Sequence, residues 1–285
     1  MARPGGRRAD LSTSFTGTDP DLAGVRVERD GPVVTVVLDR PDRLNAQTPY
    51  TWAALREVGR SLPAEVRVVV VRGEGRAFSA GLDRAAFEPG GIPGAPGLAE
   101  IAAMPQPEGD ATIRGFQEAF SWLRRADVLS VAAVQGHAIG AGFQLALACD
   151  LRVLADDATF TMAESRYGLV PDLGGTSPLV AAVGYPRALE ICLTARQVGA
   201  AEALALGLAT VVVPGEQLSA AVADLVAALL APPRDVVAEN KALLLGAVGR
   251  GRDEQEAAER AAQLRRLRAL VARRAPAGSG GFAVG

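Results

Sequence analysis

Residues 132–175 constrain the possible folds of this chain more than any other stretch. They begin as an apolar strand at 132–136, pass through a glycine-rich turn at 137–142 and continue as an apolar helical run to Cys149. A helix that opens on glycines presents unpaired backbone N–H groups, and small residues let a ligand approach them. The same small residues also permit close packing of a helix on a sheet, so this pattern alone leaves both interpretations open.

Length and composition allow either one large core or one domain plus an appendage, and they argue against several classes of protein. The 285 residues are 49% hydrophobic and carry a net charge of −2, so no basic surface points to nucleic acid. No apolar run reaches the roughly 18 residues of a membrane helix, and we expect no membrane partner. The arginines at 7–8 lack a following apolar segment, which favours a cytoplasmic protein. Cys149 and Cys192 lie in apolar runs and are expected to be free thiols.

Hydrophobic periodicity predicts an α/β protein that starts β-β-α-β. Strands are predicted at 25–29 and 33–38 around an Asp-Gly turn, a helix at 48–62 with Thr48 as its N-cap, and a doubly buried strand at 66–71. The rhythm recurs further along the chain, which favours stacked repeating units. The Gly- and Pro-rich residues 84–110 are predicted to form a long loop.

The two ends of the chain have a different character from its middle. Residues 1–20 and 275–285 show no periodicity and are expected to be disordered. Between them we expect a core over 21–200 and a helical region over 201–274. The last helix of that region has one charged and one apolar face, which suits either a solvated helix or packing between subunits.

Three polar residues are candidates for chemistry. Gln144 lies in an otherwise apolar run, where an unpaired amide costs about 1–3 kcal/mol and therefore needs a partner. Glu164 follows apolar residues that would raise its pKa and suit it to general base catalysis, although a surface or capping glutamate is the commoner case. Asp172 is either the N-cap of the next helix or a second acid that shares the site with Glu164.

Other kinds of site lack the residues they need. His137 is the only histidine, so no pair of histidines can bind a metal, and its expected role is structural. The chain has neither a Walker loop nor a Gly-x-Gly-x-x-Gly motif. We therefore expect no metal and no bound cofactor.

Taken together, the motifs resemble those of the crotonase superfamily, the enoyl-CoA hydratases and isomerases. The similarity covers roughly residues 22–250. It rests on Leu-Asp-Arg-Pro at 38–41 with Asn-Ala at 45–46, Phe-Ser-Ala-Gly-Leu-Asp at 78–83, the strand, turn and helix at 134–150, and the segments 164–175 and 199–213.

The resemblance implies a specific fold, ligand and site. The fold would be a spiral of ββα repeats with a C-terminal helical oligomerisation region, assembled as trimers or as hexamers made of two trimers. The ligand would be an acyl-CoA thioester, with coenzyme A as part of the substrate. The N–H groups of Ser79 and Ala141 would form an oxyanion hole for its carbonyl oxygen. The residues expected along CoA and substrate are Arg43, Leu44, Ala46, Ala80, Gly81, Leu82, Asp83 and Gly140.

One departure from the family pattern decides the expected activity. Hydratases of the family carry glutamates matching both 144 and 164, whereas this chain has Gln144, which cannot take a proton at neutral pH. Dienoyl-CoA isomerases have acids matching Glu164 and Asp172, and a third where this chain has Gln144. The leading hypothesis is therefore isomerisation of an enoyl-CoA or dienoyl-CoA with Glu164 as acid/base.

Two alternatives remain from the sequence. A hydratase could use Glu164 with Gln144 positioning the water, or the chain could bind acyl-CoA without catalysis. The family's usual C-terminal segments are also absent after Gln263, which affects the expected pocket lid and subunit packing.

Overall fold

The computed structural model describes residues 9–10, 23–88 and 90–274. Most of the tails expected to be disordered, at 1–20 and 275–285, lie outside these residues; the exception is the short strand Ala9–Asp10. Contacts divide the chain into two compact units, which meet in sequence between Ala231 and Pro232 and are described separately.

Two β-sheets organise the first unit. The strands in the described part of the chain are β1 Ala9–Asp10, β2 Val25–Asp30, β3 Val33–Leu38, β4 Val68–Gly73, β5 Leu129–Val134, β6 His137–Ile139, β7 Leu151–Ala155, β8 Thr159–Thr161, β9 Val198–Gly199 and β10 Val211–Val213. Seven of these form the main sheet in the order β1-β2-β3-β4-β5-β7-β10, and β6-β8-β9 form the second. The pairs from β3 to β10 are parallel, whereas β1 and β2 add an antiparallel edge.

The parallel strands are buried on both faces, as the β-branched run predicts. Within β4, Val69 and Val71 belong to the larger apolar core, while Val68 and Val70 belong to a smaller one on the other face. The helix Leu218–Leu230 contributes Val222 and Val226 to the smaller core. Alternate side chains therefore serve two cores, which explains the continuous apolar run.

The helices begin close to where capping residues and prolines predict them. The α-helices span Pro49–Ser61, Leu98–Ala103, Gln106–Ser121, Ala141–Ala148, Thr176–Val183, Tyr185–Thr194, Ala200–Ala205, Leu218–Leu230, Arg234–Ala247 and Arg252–Arg274. The Thr48 hydroxyl accepts a hydrogen bond from the Thr51 N–H at 3.1 Å, which confirms the predicted N-cap. Such a cap stabilises a helix by about 1 kcal/mol.

The prediction of one long loop at 84–110 is wrong in part. The segment contains a 3-10 helix, Arg84–Phe87, the helix Leu98–Ala103 and the first turn of Gln106–Ser121. The Glu100 side chain accepts from the Gly97 N–H, which stabilises the start of the second of these helices. One and a half turns are too short to show an apolar period, so the sequence pattern did not reveal them.

The C-terminal part also differs from the expectation. Strand β10 pairs in parallel with β7, so the main sheet continues beyond residue 200 and the first unit ends only at Ala231. The second unit contains the helices Arg234–Ala247 and Arg252–Arg274, which are joined by an ion pair between Arg265 and Glu239 at 2.6 Å. None of the described helices combines the length and the apolar character needed to cross a bilayer.

Candidate active site

No hydrogen-bond acceptor is found among the described residues for the main-chain N–H groups of Leu82 and Ala141, which lie on separate segments of the site. Gly81 brings their segments together, because a Cβ built on it would lie 2.4 Å from the Ile139 oxygen and 3.5 Å from the Ala141 nitrogen. Gly81 also has a φ of +83°, which glycine adopts at the lowest cost. Ala141 is the first residue of a helix, whose N–H groups are free by geometry. The two donors therefore lie on adjoining segments.

Ser79 does not supply one of these donors, so that prediction is wrong. Its N–H donates to the His137 main-chain oxygen at 2.9 Å, within an isolated parallel bridge between the segment and β6. Its hydroxyl donates to the Asn45 oxygen at 2.8 Å. Ser79 is thus fully engaged inside the protein.

The donor on this segment is instead Leu82, and the pairing of its neighbours explains why. The Gln47 N–H donates to the Gly81 oxygen at 2.7 Å, and the Asp83 N–H donates to the Gln47 oxygen at 2.8 Å. In a parallel bridge the residue between two such bonds turns its own N–H to the opposite side. The Leu82 N–H therefore points away from Gln47.

Buried side chains hold this segment in place. Asn45 is 2% exposed and donates from its amide to the main-chain oxygens of Glu74 and Ala77, both at 2.8 Å. Leu44 and Asn45 have φ of 50° and 55°, a conformation that costs non-glycine residues about 1–3 kcal/mol. The Leu44 oxygen accepts from the Ala80 N–H at 2.8 Å.

Arg40 and Asp83 form a largely buried ion pair that joins the two segments. The Arg40 guanidinium lies 2.9 Å from Asp83 and also donates to the Ala46 oxygen at 2.7 Å. The second Asp83 oxygen accepts from the Ala85 N–H at 3.1 Å. Both carboxylate oxygens of Asp83 therefore have partners within the protein. Asp83 holds its segment in place and does not offer a free carboxylate to a ligand. Arg43, by contrast, is exposed and makes no ion pair with any residue the structure describes.

Gln144 is buried and its amide is locked in one orientation. Its oxygen accepts from the N–H groups of Leu173 at 2.9 Å and Gly175 at 3.3 Å. Because the oxygen takes both donors, the NH2 group must face Glu164, and it donates to Glu164 Oε1 at 2.7 Å. Gln144 therefore connects the carboxylate to the loop that follows it.

Glu164 begins the 3-10 helix Glu164–Tyr167 and presents one unpartnered oxygen. Its Oε2 is buried and has no hydrogen-bond partner among the described residues. A Cβ added to Gly140 would lie 3.3 Å from Oε1, so the carboxyl group lies against the start of the helix that carries Ala141. Burial raises the pKa of Glu164, the Asp172 charge raises it further, and the Gln144 amide opposes both.

Asp172 lies close enough for its charge to act on Glu164, but it does not cap a helix. The helix Thr176–Val183 has Gly175 at its N-cap and no side-chain capping bond. The Asp172 main-chain oxygen accepts from the Gln117 amide at 2.7 Å. Although the residue is exposed at the surface, surrounding protein raises the pKa of its carboxyl by partial desolvation.

Several residues that position the site carried no signal in the sequence. Gln117 lies on the helix Gln106–Ser121, and no motif connects it to Asp172. Gln47 is fully buried and bonds to both Ser79 and Trp52 through its side chain. Gln144 stands out in the sequence because its neighbours are apolar. The neighbours of Gln47 are partly polar, so the same signal is missing there.

The arrangement can perform acid–base chemistry next to an oxyanion. A carboxylate with a raised pKa and a free oxygen can remove or return a proton near neutral pH. Paired N–H donors can stabilise negative charge on a carbonyl oxygen. The described residues contain no group of three or more His, Cys, Asp or Glu side chains that could bind a metal. The fold and the site define a class of protein suited to acid–base chemistry beside an oxyanion.

The comparison with known families agrees with this class. The sequence model described as enoyl-CoA hydratase/isomerase matches residues 28–273. The chain therefore belongs to the enoyl-CoA hydratase/isomerase family, which confirms the resemblance to the crotonase superfamily and the expected fold class.

Relatives within this family carry different activities. The chain is 31% identical over 196 residues to a Mycobacterium bovis protein described as a probable enoyl-CoA hydratase, covering 68% of this chain and 70% of that one. It is 32% identical over 200 residues to the human mitochondrial Δ(3,5)-Δ(2,4)-dienoyl-CoA isomerase, covering 65% and 57%. A solved structure from Thermobifida fusca, assigned as an enoyl-CoA hydratase and in complex with acetoacetyl-CoA, is 49% identical, with a TM-score of 0.82 over 87% of this chain and 96% of that one.

Proposed function

We propose that this protein isomerises the double bond of an enoyl-CoA or dienoyl-CoA thioester, with Glu164 as the acid/base. The single observation that carries this proposal is the unpartnered Glu164 Oε2 beside an amide, rather than a second carboxylate, at Gln144. An amide that donates to Glu164 cannot itself accept a proton. One carboxylate is sufficient to move a proton between two carbons of the same chain.

The proposed reaction has two proton transfers. With a 3-enoyl thioester, Glu164 takes a proton from the carbon alpha to the carbonyl, and the electron pair forms a dienolate. The Leu82 and Ala141 N–H groups stabilise the negative oxygen, which typically contributes a factor of about 100–1,000 in rate for each donor. Glu164 then returns the proton to the gamma carbon, and the 2-enoyl product forms without any external oxidant or reductant.

The acyl-CoA ligand is supported by several parts of the site. The T. fusca relative was solved with acetoacetyl-CoA, which carries a thioester carbonyl. The exposed guanidinium of Arg43 is available to bind the phosphates of coenzyme A. Arg43 lies close in sequence to Arg40, whose ion pair with Asp83 holds this part of the chain in place. The expected contact residues Leu44, Ala46 and Ala80 lie on the two segments that Arg40 and Asp83 join.

The test is Glu164→Gln, assayed on 3-enoyl-CoA, 3,5-dienoyl-CoA and 2-enoyl-CoA. We expect isomerisation to fall about 1,000-fold, within the range for loss of a general acid/base, while thioester binding is retained. Isomerisation that is unchanged in this variant would remove Glu164 from the mechanism.

Hydration of a 2-enoyl-CoA is the second candidate. It is favoured by the M. bovis and T. fusca relatives that are assigned as hydratases. In that reaction Glu164 would activate a water that Gln144 orients through its second N–H. Hydration that exceeds isomerisation in the wild type, and improves in Gln144→Glu, would select this candidate. Tight thioester binding with no turnover of any substrate would instead indicate a binding protein without catalysis.

A further inference from the structure

Phe87 and Tyr167 form an aromatic pair that takes no part in the proposed acid–base chemistry. Their ring centroids are 5.2 Å apart and their planes are inclined by 35°. Both side chains are nevertheless exposed, Phe87 by 41% and Tyr167 by 58%. A contact of this kind contributes about 0.5–1.5 kcal/mol, which is enough to hold two segments together but small enough to be broken by a ligand.

The pair joins the two segments that carry the donor and the base. Phe87 ends the 3-10 helix that follows Leu82 and Asp83 in the chain. Tyr167 ends the 3-10 helix that begins with Glu164. Because side chains three residues apart eclipse one another in a 3-10 helix, Tyr167 lies on the same face as Glu164. The ring contact therefore joins the segment that follows the Leu82 donor to the segment that follows Glu164.

We infer that the Phe87–Tyr167 pair limits the length of the acyl chain that the site accepts. This inference rests on the proposed function. A short acyl group ends beneath the two rings, whereas a longer one must separate them to continue. Beyond Tyr167, Leu169 and Val170 are 40% and 72% exposed, and they offer apolar surface to a longer chain once the rings part.

The experiment measures binding of butanoyl-CoA and decanoyl-CoA to the full chain by calorimetry, so that it does not depend on turnover. The variants are Phe87→Ala, Tyr167→Ala and the double variant. We expect each single variant to improve the affinity for decanoyl-CoA relative to butanoyl-CoA by about tenfold, the scale on which pockets discriminate apolar groups. Since removal of either ring opens the same barrier, the double variant should gain no more than a single one.

Tyr185→Ala is the matched control, because Tyr185 is 65% exposed and makes no ring contact with a described residue. Its ratio of the two affinities should equal that of the wild type. An unchanged ratio in the pair variants, or additive single effects, would overturn the inference. Phe87→Leu and Tyr167→Leu give the same test if an alanine variant fails to fold. Failure of every thioester to bind would contradict the proposed function instead, so the two outcomes are distinguishable.

Discussion

The two halves of the candidate site are built in opposite ways. The donor half, residues 40–47 and 79–83, is buried and its polar groups are paired: Gln47 and Ser79 are fully buried and Asp83 is 8% exposed. The base half, residues 164–175, is largely exposed, and it holds the one Glu164 oxygen that lacks a partner. Gln144 connects the carboxylate to the buried interior and to the loop at Leu173.

This difference matches two different demands of catalysis. Donors that stabilise a developing charge must be fixed before the reaction, because reorganisation during it costs rate. The surface around a base must instead admit the substrate, and the base must reach more than one of the substrate's carbon atoms. The dense bonding around Leu82 serves the first demand, and the open region around Glu164 serves the second. Substitutions that disturb one half of the site should therefore differ in their effects from those that disturb the other.

Gly81→Ala should have the largest effect on catalysis. The added Cβ would lie 2.4 Å from the Ile139 oxygen and would displace the segment that carries the Leu82 N–H. We expect kcat to fall about 100-fold or more, the scale for loss of one oxyanion donor. Gly168→Ala is the control, because Gly168 has a φ of +70° but no atom within 4 Å of the added Cβ. Equal losses in the two variants would show that backbone strain, not the donor, causes the defect.

Gln144→Glu should have the next largest effect. The new carboxylate would face Glu164 across the present 2.7 Å contact, and two charges at that distance cannot both be held. The pair should then titrate together with a higher apparent pKa, and isomerisation at neutral pH should fall about tenfold. Rate profiles against pH measure this change.

Gln117→Ala is the control for Gln144→Glu. It removes the other side-chain bond to the loop, at the Asp172 oxygen, without placing a charge beside Glu164. The acid limb of its rate profile against pH should match that of the wild type. The same shift in both variants would mean that loop displacement, rather than charge, moves the pKa.

Breaking the Arg40–Asp83 pair should have a smaller effect, mainly on stability. Loss of one partner of this largely buried pair should lower the free energy of unfolding by about 1–2 kcal/mol, less than the loss for a fully buried pair. We expect kcat to fall several-fold with KM nearly unchanged, because Asp83 directly follows Leu82. A double-mutant cycle with Arg40→Gln and Asp83→Asn measures the coupling. Purely additive losses would show that the pair does not act as a unit.

Asp172→Asn should have the smallest effect and addresses the role of Asp172. Its charge raises the pKa of Glu164, so its removal should move the acid limb of the rate profile to lower pH. Activity falls as pH falls through the pKa of Glu164, because the base must be ionised. A large loss of kcat at every pH would instead identify Asp172 as a second acid in the reaction.

The shifted pKa values of Glu164 and Asp172 predict how the stability of the fold depends on pH. Both have a pKa in the fold that is raised above the unfolded value, so the fold binds more protons in that interval. Their contribution to stability is therefore present below the unfolded pKa and is lost as pH rises through the folded pKa. In Glu164→Gln, thermal unfolding should lose part of this dependence.

Local patterns predicted much of the fold. The helix capped by Thr48 and the glycine turn before Ala141 depend on interactions between residues close in sequence, and the continuous β-branched run of β4 predicts a strand buried on both faces. The helix Leu98–Ala103 was missed because it is too short to show a period. The end of the core was misplaced because pairing of β10 with β7 joins residues far apart in the chain.

The same contrast between local sequence patterns and long-range contacts applies to the candidate site. The residue types at the site can be read from the sequence: Glu164 as a carboxylate, Gln144 as an amide in an apolar run, and glycines at the turn. Only the tertiary structure decided that Leu82 rather than Ser79 leaves its N–H free, and that Gln144 donates to Glu164. The physical reason is that a free N–H or a free oxygen is defined by the partners around it. Those partners, Gln47, His137 and Leu173, come from separate parts of the chain.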